Sequence, residues 1–210
     1  MLSVLRRGVP RFGMTVCAPS YISGTKLSSK HIRGFSGGFD NAAQDKAGWE
    51  NVTEDEVHEL QANWANAIVT CSRIYAEKGD FVGAAEAAAG ELYGYGHSQV
   101  LFKPTKAAEV PFRPTALEAM SYFVGGNVVE NGYDEDAGFA INGGKGWSNV
   151  EFNNHAIDLN GPVAIAMGYY VFTCATTGDL VRVEYTFGYK RNADGKARIF
   201  LHHSSVPYSA

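Results

Sequence analysis

The chain has 210 residues, 45% hydrophobic and 12% aromatic, which is enough apolar material for one well-buried domain. Gly, Asn, Glu or Asp interrupts every apolar run before it reaches the roughly 20 residues a membrane-spanning helix needs, so no membrane partner is expected. A formal net charge of −4 argues against nucleic acid as a partner.

That charge is unevenly placed. Residues 1–39 hold Arg6, Arg7, Arg11, Lys26, Lys30 and Arg33 and no acid, while all 22 acids lie from Asp40 onward. An acid-free, Arg- and Ser-bearing segment in which Leu2, Val4, Leu5, Val9 and Phe12 offer an apolar face reads as an organelle transit peptide. A secretory signal would need a longer apolar centre. The mitochondrial matrix is the expected destination and a plastid the alternative. Arg33-Gly34-Phe35-Ser36 resembles a matrix-processing site, which would make Ser36 the first mature residue. The expected organisation is a leader over 1–35, a linker over 36–50 and a single domain over 51–210. Without the leader, 12 of the 18 bases face 22 acids, a net charge of −10, which strengthens the case against nucleic acid. Beyond the leader only Cys71 and Cys174 remain, with no CxxC, as expected in a reducing compartment.

From Thr53 the pattern is helical: Val57, Leu60, Trp64, Ala67, Ile68, Cys71, Ile74 and Tyr75 recur at three- and four-residue intervals. Thr53 and Glu56 have the spacing of a capping box, and Gly79 ends the helix. Asp80 then caps a second, Ala-rich helix running to about Glu91. Next come a predicted strand over Ser98–Lys103, a loop punctuated by Pro104, Pro111 and Pro114, and a short strand over Met120–Val124. The segment holding Asp134, Glu135 and Asp136 reads as a solvated loop, followed by a small strand at Phe139–Ile141.

The last third is antiparallel in pattern, with strands predicted over Asn149–Ile157, Val163–Thr173, Val181–Lys190 and Ala197–Ser205. Asn160-Gly161, Thr177-Gly178-Asp179 and Asp194-Gly195 supply the turns. In the third of these, Val181, Val183, Tyr185, Phe187 and Tyr189 alternate with Arg182, Glu184, Thr186, Gly188 and Lys190, so one face is apolar and the other wet. The helices are the available cover. The fold class is therefore α+β, with N-terminal helices packed in the concavity of a curved antiparallel sheet.

The final strand carries His202-His203-Ser204-Ser205. Strict alternation puts Arg198, Phe200, His202 and Ser204 on one face and Ile199, Leu201, His203 and Ser205 on the other. Ile199 and Leu201 suit a core and Arg198 prefers water, so His203 and Ser205 are expected to point inward. Tyr122 can reach the same interior. Thr105, just after the Pro104 break, has a hydroxyl that can turn toward the pocket mouth, although its face is not assignable from spacing.

Four segments carry a resemblance. Phe102-Lys103-Pro104-Thr105-Lys106-Ala107-Ala108, Ser121-Tyr122-Phe123-Val124-Gly125-Gly126, Gly138-Phe139-Ala140-Ile141-Asn142 and His202-His203-Ser204-Ser205-Val206-Pro207-Tyr208 resemble, in order and spacing, the iota-class carbonic anhydrases. The resemblance runs from the Trp64 region to the C-terminus and leaves the leader out. It implies the fold of the calcium/calmodulin-dependent kinase association domain, a nuclear-transport-factor-2-like cone, and a homodimer. It also implies reversible hydration of carbon dioxide to bicarbonate, in some members without metal, with Thr, Tyr, His and Ser holding the substrate. By motif these are Thr105, Tyr122, His203 and Ser205, with His202 and Ser204 as the alternates that strand alternation sets aside. Unlike members with three consecutive histidines, this chain has Leu201 before His202.

A catalytic zinc needs about three converging protein ligands and an open position. The histidines beyond the leader are His58, His97, His155, His202 and His203, without HxH or HExxH, and adjacent strand residues face opposite ways. No cofactor is therefore expected, with manganese or zinc as the minority alternative. Hydroxyls of Thr105, Tyr122 and Ser205 would then steady the developing carboxylate, while His203 accepts or relays the water proton. Phe102, Leu101, Ile199 and Leu201 would form an apolar wall for carbon dioxide. Two competing readings are an isomerase or hydratase, which needs an inward carboxylate such as Glu151, and a non-catalytic oligomerisation hub. A Ser-His hydrolase is disfavoured because no GxSxG is present.

Overall fold

A computed structural model describes residues 50–209. The expected leader and all but the last residue of the linker lie outside the described residues.

Helix α1 (Glu54–Ala76) begins at the expected capping box: Glu56 N–H donates to Thr53 Oγ1 at 3.2 Å and Thr53 N–H to Glu56 Oε2 at 3.0 Å. Its buried stripe is Val57, Gln61, Trp64, Ile68, Cys71 and Ser72, so the apolar spacing carries two polar residues inward with it. Gln61 exchanges amide hydrogen bonds with Asn154, and Ser72 donates to Ala140 O while accepting from Trp147 N–H. These bonds pin α1 to the sheet. Helix α2 (Phe81–Leu92) starts at Asp80, which accepts from Gly83 N–H at 2.9 Å.

After β1 (Leu101–Lys103) and the proline loop comes α3 (Ala116–Val124). The expected strand at Met120–Val124 is thus a helix, opened by a second capping box in which Glu118 N–H donates to Thr115 Oγ1 and Thr115 N–H to Glu118 Oε2. A short apolar run does not separate a strand from a fully buried helix, and Ala119–Val124 are all buried. The expected strand at Phe139–Ile141 is a turn. Its Phe139 and Ala140 amides donate to Tyr122 O and Phe123 O, satisfying carbonyls that the end of α3 leaves free.

The acids before that turn are not solvated as expected. Asp136 is buried against Arg113 at 2.9 Å and accepts from Ser121 Oγ at 2.6 Å. The Glu135 carboxylate accepts three amides, those of Ala108, Glu109 and Val110, at 2.7, 3.0 and 2.8 Å. Only Asp134 remains exposed.

Strands β2 (Trp147–Asn160), β3 (Val163–Cys174), β4 (Leu180–Arg191) and β5 (Ala197–Ser205) form the expected meander. β1 adds to its edge in parallel with β5, giving the order β1-β5-β4-β3-β2. On β4 the expected faces hold: Val183, Tyr185, Phe187 and Tyr189 are buried and Arg182, Glu184 and Lys190 are exposed. The helices cover that apolar face, with Trp64 packed against Phe152, Tyr170, Phe172 and Phe187.

One irregularity decides the site. Tyr189 pairs with Ile199, but Gly188 pairs with Leu201, so β5 holds one more residue than β4 at this point. This is a β-bulge, and it reverses the in-and-out sequence of everything after it.

Candidate active site

Beyond the bulge three registers agree. His202 pairs with Phe187 on β4 and with Phe102 on β1, and Ser204 pairs with Tyr185. All of these partners are buried, and His202 and Ser204 are themselves only 3% and 1% exposed. The expectation that His203 and Ser205 project inward is therefore corrected. His203 is exposed and Ser205 half-buried, on the opposite face of the sheet, where they border an open groove of about 730 Å³ with Tyr169, Arg182 and Glu184. Strict alternation failed because Phe200 is the extra residue of the bulge. Leu101 and Leu201 also face outward, so of the expected apolar wall only Phe102 and Ile199 stand. Arg198, expected in water, is buried but forked onto Asp194 at 2.7 and 2.9 Å.

The interior of β5 meets residues from every layer. The His202 ring stacks on Phe102, 4.6 Å between centroids, and stands edge-on to Phe187 at 4.1 Å. Its Nδ1 lies 2.7 Å from Tyr93 Oη, which accepts from Trp64 Nε1–H at 3.0 Å. Its Nε2 lies 2.8 Å from Ser204 Oγ and 3.4 Å from Tyr170 Oη, and Ser204 and Tyr170 are hydrogen-bonded to each other. Burial drives the His202 pKa well below the usual imidazole value, with neighbouring His203 adding to the effect, so the ring is neutral at ordinary pH.

Tyr122 and Thr105 complete the group. Tyr122 reaches the interior from α3 and packs edge-on to Phe102 and flat on Phe139. Burial pushes its phenol well above the ordinary value, opposed in part by hydrogen bonding from the Lys106 amide and from the Thr105 hydroxyl and amide. Tyr170, raised likewise by burial, is hydrogen-bonded to Ser204, with the Thr105 side chain nearby. Thr105 is half-buried, at the rim of this cluster. Both phenols therefore stay protonated and can donate.

The structure thus brings together Thr105, Tyr122 and Phe102 with the alternates His202 and Ser204, and leaves His203 and Ser205 outside. Sequence reasoning missed Tyr170 and Tyr93. Tyr170 sits at the centre of the inward face of β3, where a tyrosine reads simply as core; Tyr93 is the cap residue ending α2 and has no motif of its own. The bulge did leave a trace, because Gly188 is a glycine inside a strongly patterned strand.

Few of these groups suit a metal. Both ring nitrogens of His202 face hydroxyls, His203 is across the sheet, and no group of three or more His, Cys, Asp or Glu converges among the described residues. Among the described residues, neither of the acidic candidates brings a free carboxylate to the cluster. Glu151 is exposed, and Asp136 is held by Arg113 and Ser121.

A family model described as metal-independent carbonic anhydrase matches residues 55–206. A metal-independent carbonic anhydrase from Nostoc sp. is 38% identical over 160 residues, which span 75% of this chain and 75% of the relative. The crystal structure of an iota-carbonic anhydrase from a cyanobacterium, complexed with bicarbonate, is 37% identical with a TM-score of 0.70, covering 76% of this chain and 95% of that one. A nuclear transport factor 2-like protein from Salmonella enterica serovar Typhimurium is 13% identical with a TM-score of 0.44, covering 74% of this chain and 92% of that one.

Proposed function

The chain belongs to the metal-independent carbonic anhydrase family, and from that premise we propose that Thr105, Tyr122, Tyr170, His202 and Ser204 form its carbon dioxide and bicarbonate site. The observation that carries this reading is the convergence of the Ser204 and Tyr170 hydroxyls on one neutral imidazole against the apolar faces of Phe102 and Phe187, with Tyr122 packed on Phe102 and Thr105 beside it. Apolar rings accommodate carbon dioxide, and hydroxyls that both donate and accept suit bicarbonate.

In the forward direction a water oxygen lone pair attacks the carbon and one C=O π pair moves onto oxygen. The water loses one proton, giving bicarbonate. Tyr122 and Thr105 donate to the developing carboxylate oxygens, which stabilises charge that appears only as the bond forms. The released proton passes to a hydroxyl oxygen of the hydrogen-bonded Ser204–Tyr170 pair as that pair gives up another toward the half-buried rim, and it ends in bulk buffer. His202, neutral and buried, is a poor final acceptor; it holds Ser204 in place and polarises it.

The test is oxygen-isotope exchange between carbon dioxide and water, catalysed by pure, chelator-treated protein. Exchange above background, unaltered by chelation, is expected. No exchange from folded protein would sink the proposal and favour an oligomerisation hub, and activity that a divalent ion restores after chelation would make the site metal-dependent.

Two further readings are proposed beside it. The chain forms a homodimer, supported by the resemblance and checked by light scattering; a monomer at working concentration would refute it. Residues 1–35 direct it to the mitochondrial matrix, supported by the absence of acids before Asp40. A fluorescent fusion of residues 1–50 that reached a plastid or stayed in the cytosol would refute that.

A further inference from the structure

We infer that Trp64 and Tyr93 are positioning residues that fix the tautomer of His202, keeping its proton on Nε2 so that the imidazole donates into the hydroxyl cluster. The polarity of the row is set at its Trp64 end. An indole Nε1–H only donates, and that of Trp64 donates to Tyr93 Oη at 3.0 Å. The phenol keeps one hydrogen, and the acceptor within reach is His202 Nδ1 at 2.7 Å.

The opposite tautomer would aim two N–H groups at one phenol oxygen. The Tyr93 hydrogen would then have no acceptor, in a side chain that is fully buried, and buried polar groups seldom go unpaired. At the other end Nε2 faces Ser204 Oγ and Tyr170 Oη, hydroxyls that serve as donor or acceptor. They impose no polarity, so the Trp64 end decides.

The anchor is rigidly held. Tyr93 ends α2, where its N–H donates to Ala89 O; it bridges to Ile199 in β5, and the next amide, Gly94 N–H, donates to Ile199 O. The Trp64 ring lies flat on Tyr170, with centroids 5.6 Å apart and planes 5° apart. One tryptophan therefore orients both ends of the chain, its N–H through Tyr93 and its face through Tyr170. With Nε2–H donating to Ser204 Oγ, the Ser204 hydrogen is turned toward Tyr170 Oη, and the Tyr170 hydrogen is left to donate outside the pair, toward bound substrate. That consequence for catalysis rests on the carbon dioxide reading, but the tautomer does not.

The experiment is long-range 1H–15N correlation of the histidine rings in the 15N-labelled full-length protein, together with steady-state hydration kinetics. In wild type the His202 proton is expected on Nε2. Tyr93→Phe should mix the tautomers and lower kcat about five- to tenfold, the scale of one hydrogen bond, with KM little changed because Tyr93 does not touch substrate. Trp64→Phe, which keeps an aromatic ring but removes the N–H, should do the same more weakly. A proton on Nδ1 in wild type would overturn the inference whether or not either variant folds. So would folded variants with an unaltered ring spectrum. Wild-type protein that showed Nε2–H but no hydration would refute the carbon dioxide site and leave the positioning role standing.

Discussion

Gly188 in β4 lies so close to Phe200 in β5 that a Cβ at Gly188 would stand 2.7 Å from Phe200 Cε1 and 2.9 Å from Leu201 Cβ. The absence of a side chain at Gly188 is what lets the bulge close over it, and the bulge is what turns His202 and Ser204 inward. Gly188→Ala should therefore lower stability by about 1–3 kcal/mol, as small-to-large changes in packed sites do. Hydration activity should fall with it. A thermal melt and an exchange assay check this, and a variant that melts like wild type at full activity would show that the bulge does not depend on the glycine.

The two faces of β5 make opposite predictions for neighbouring residues. Ser204→Ala removes a hydroxyl bonded to both Tyr170 and His202, and should lower kcat by about tenfold or more. Ser205→Ala and His203→Ala, on the outer face away from this cluster, should stay within about twofold of wild type. Loss of activity in the outer pair with retention in Ser204→Ala would reverse the assignment.

His202 should leave a mark on stability against pH. Its folded pKa is depressed by burial, whereas in the unfolded chain it titrates near the ordinary imidazole value of about 6.5. Below that pH the unfolded chain takes up a proton that the folded ring refuses. The stability contribution is thus present above about pH 6.5 and is lost as pH falls toward the folded value, with a slope of up to about 1.4 kcal/mol per pH unit. Urea titrations at pH 5 to 7.5 on wild type and His202→Asn should differ by this slope. Parallel profiles would mean that the folded ring titrates normally.

Glu135 supports the loop that carries Thr105. Amide hydrogen bonds from Ala108, Glu109 and Val110, with Arg113 adding to them, hold its pKa at about 2. Against an unfolded value of about 4.3, the stabilisation is complete above that pH and disappears as pH falls toward 2. Glu135→Ala should speed proteolytic cleavage between residues 105 and 113 and lower hydration activity while β2–β5 stay folded. Unchanged cleavage would show that the Arg113–Asp136 ion pair holds the loop without it.

Much of this architecture could be read from side-chain order. The Thr53–Glu56 box, the Val57-to-Cys71 stripe and the alternation on β4 are local patterns, and each element formed where its pattern lay. The box at Thr115 and Glu118 was equally local and would have identified α3. Asp136 and Arg113 were hidden for a different reason. They lie 23 positions apart and meet only because the proline loop folds back over α3, so a string of acids that looked solvated became the buried side of an ion pair.

The HHSS cluster shows where the boundary falls. Sequence alone determined that one His and one Ser must share a face, because a strand's side chains alternate, and the family resemblance implied that a distant Thr and Tyr would join them. Which His and which Ser was decided by tertiary structure, since facing depends on the count of residues in the partner strand as well as in β5. Opposite Gly188 the partner is one residue short, and that single step exchanged His203 and Ser205 for His202 and Ser204. The Trp64–Tyr93 bonds that orient the chosen imidazole arise only when α1, α2 and β5 pack around it, because no local pattern records a hydrogen bond between elements so far apart in the chain.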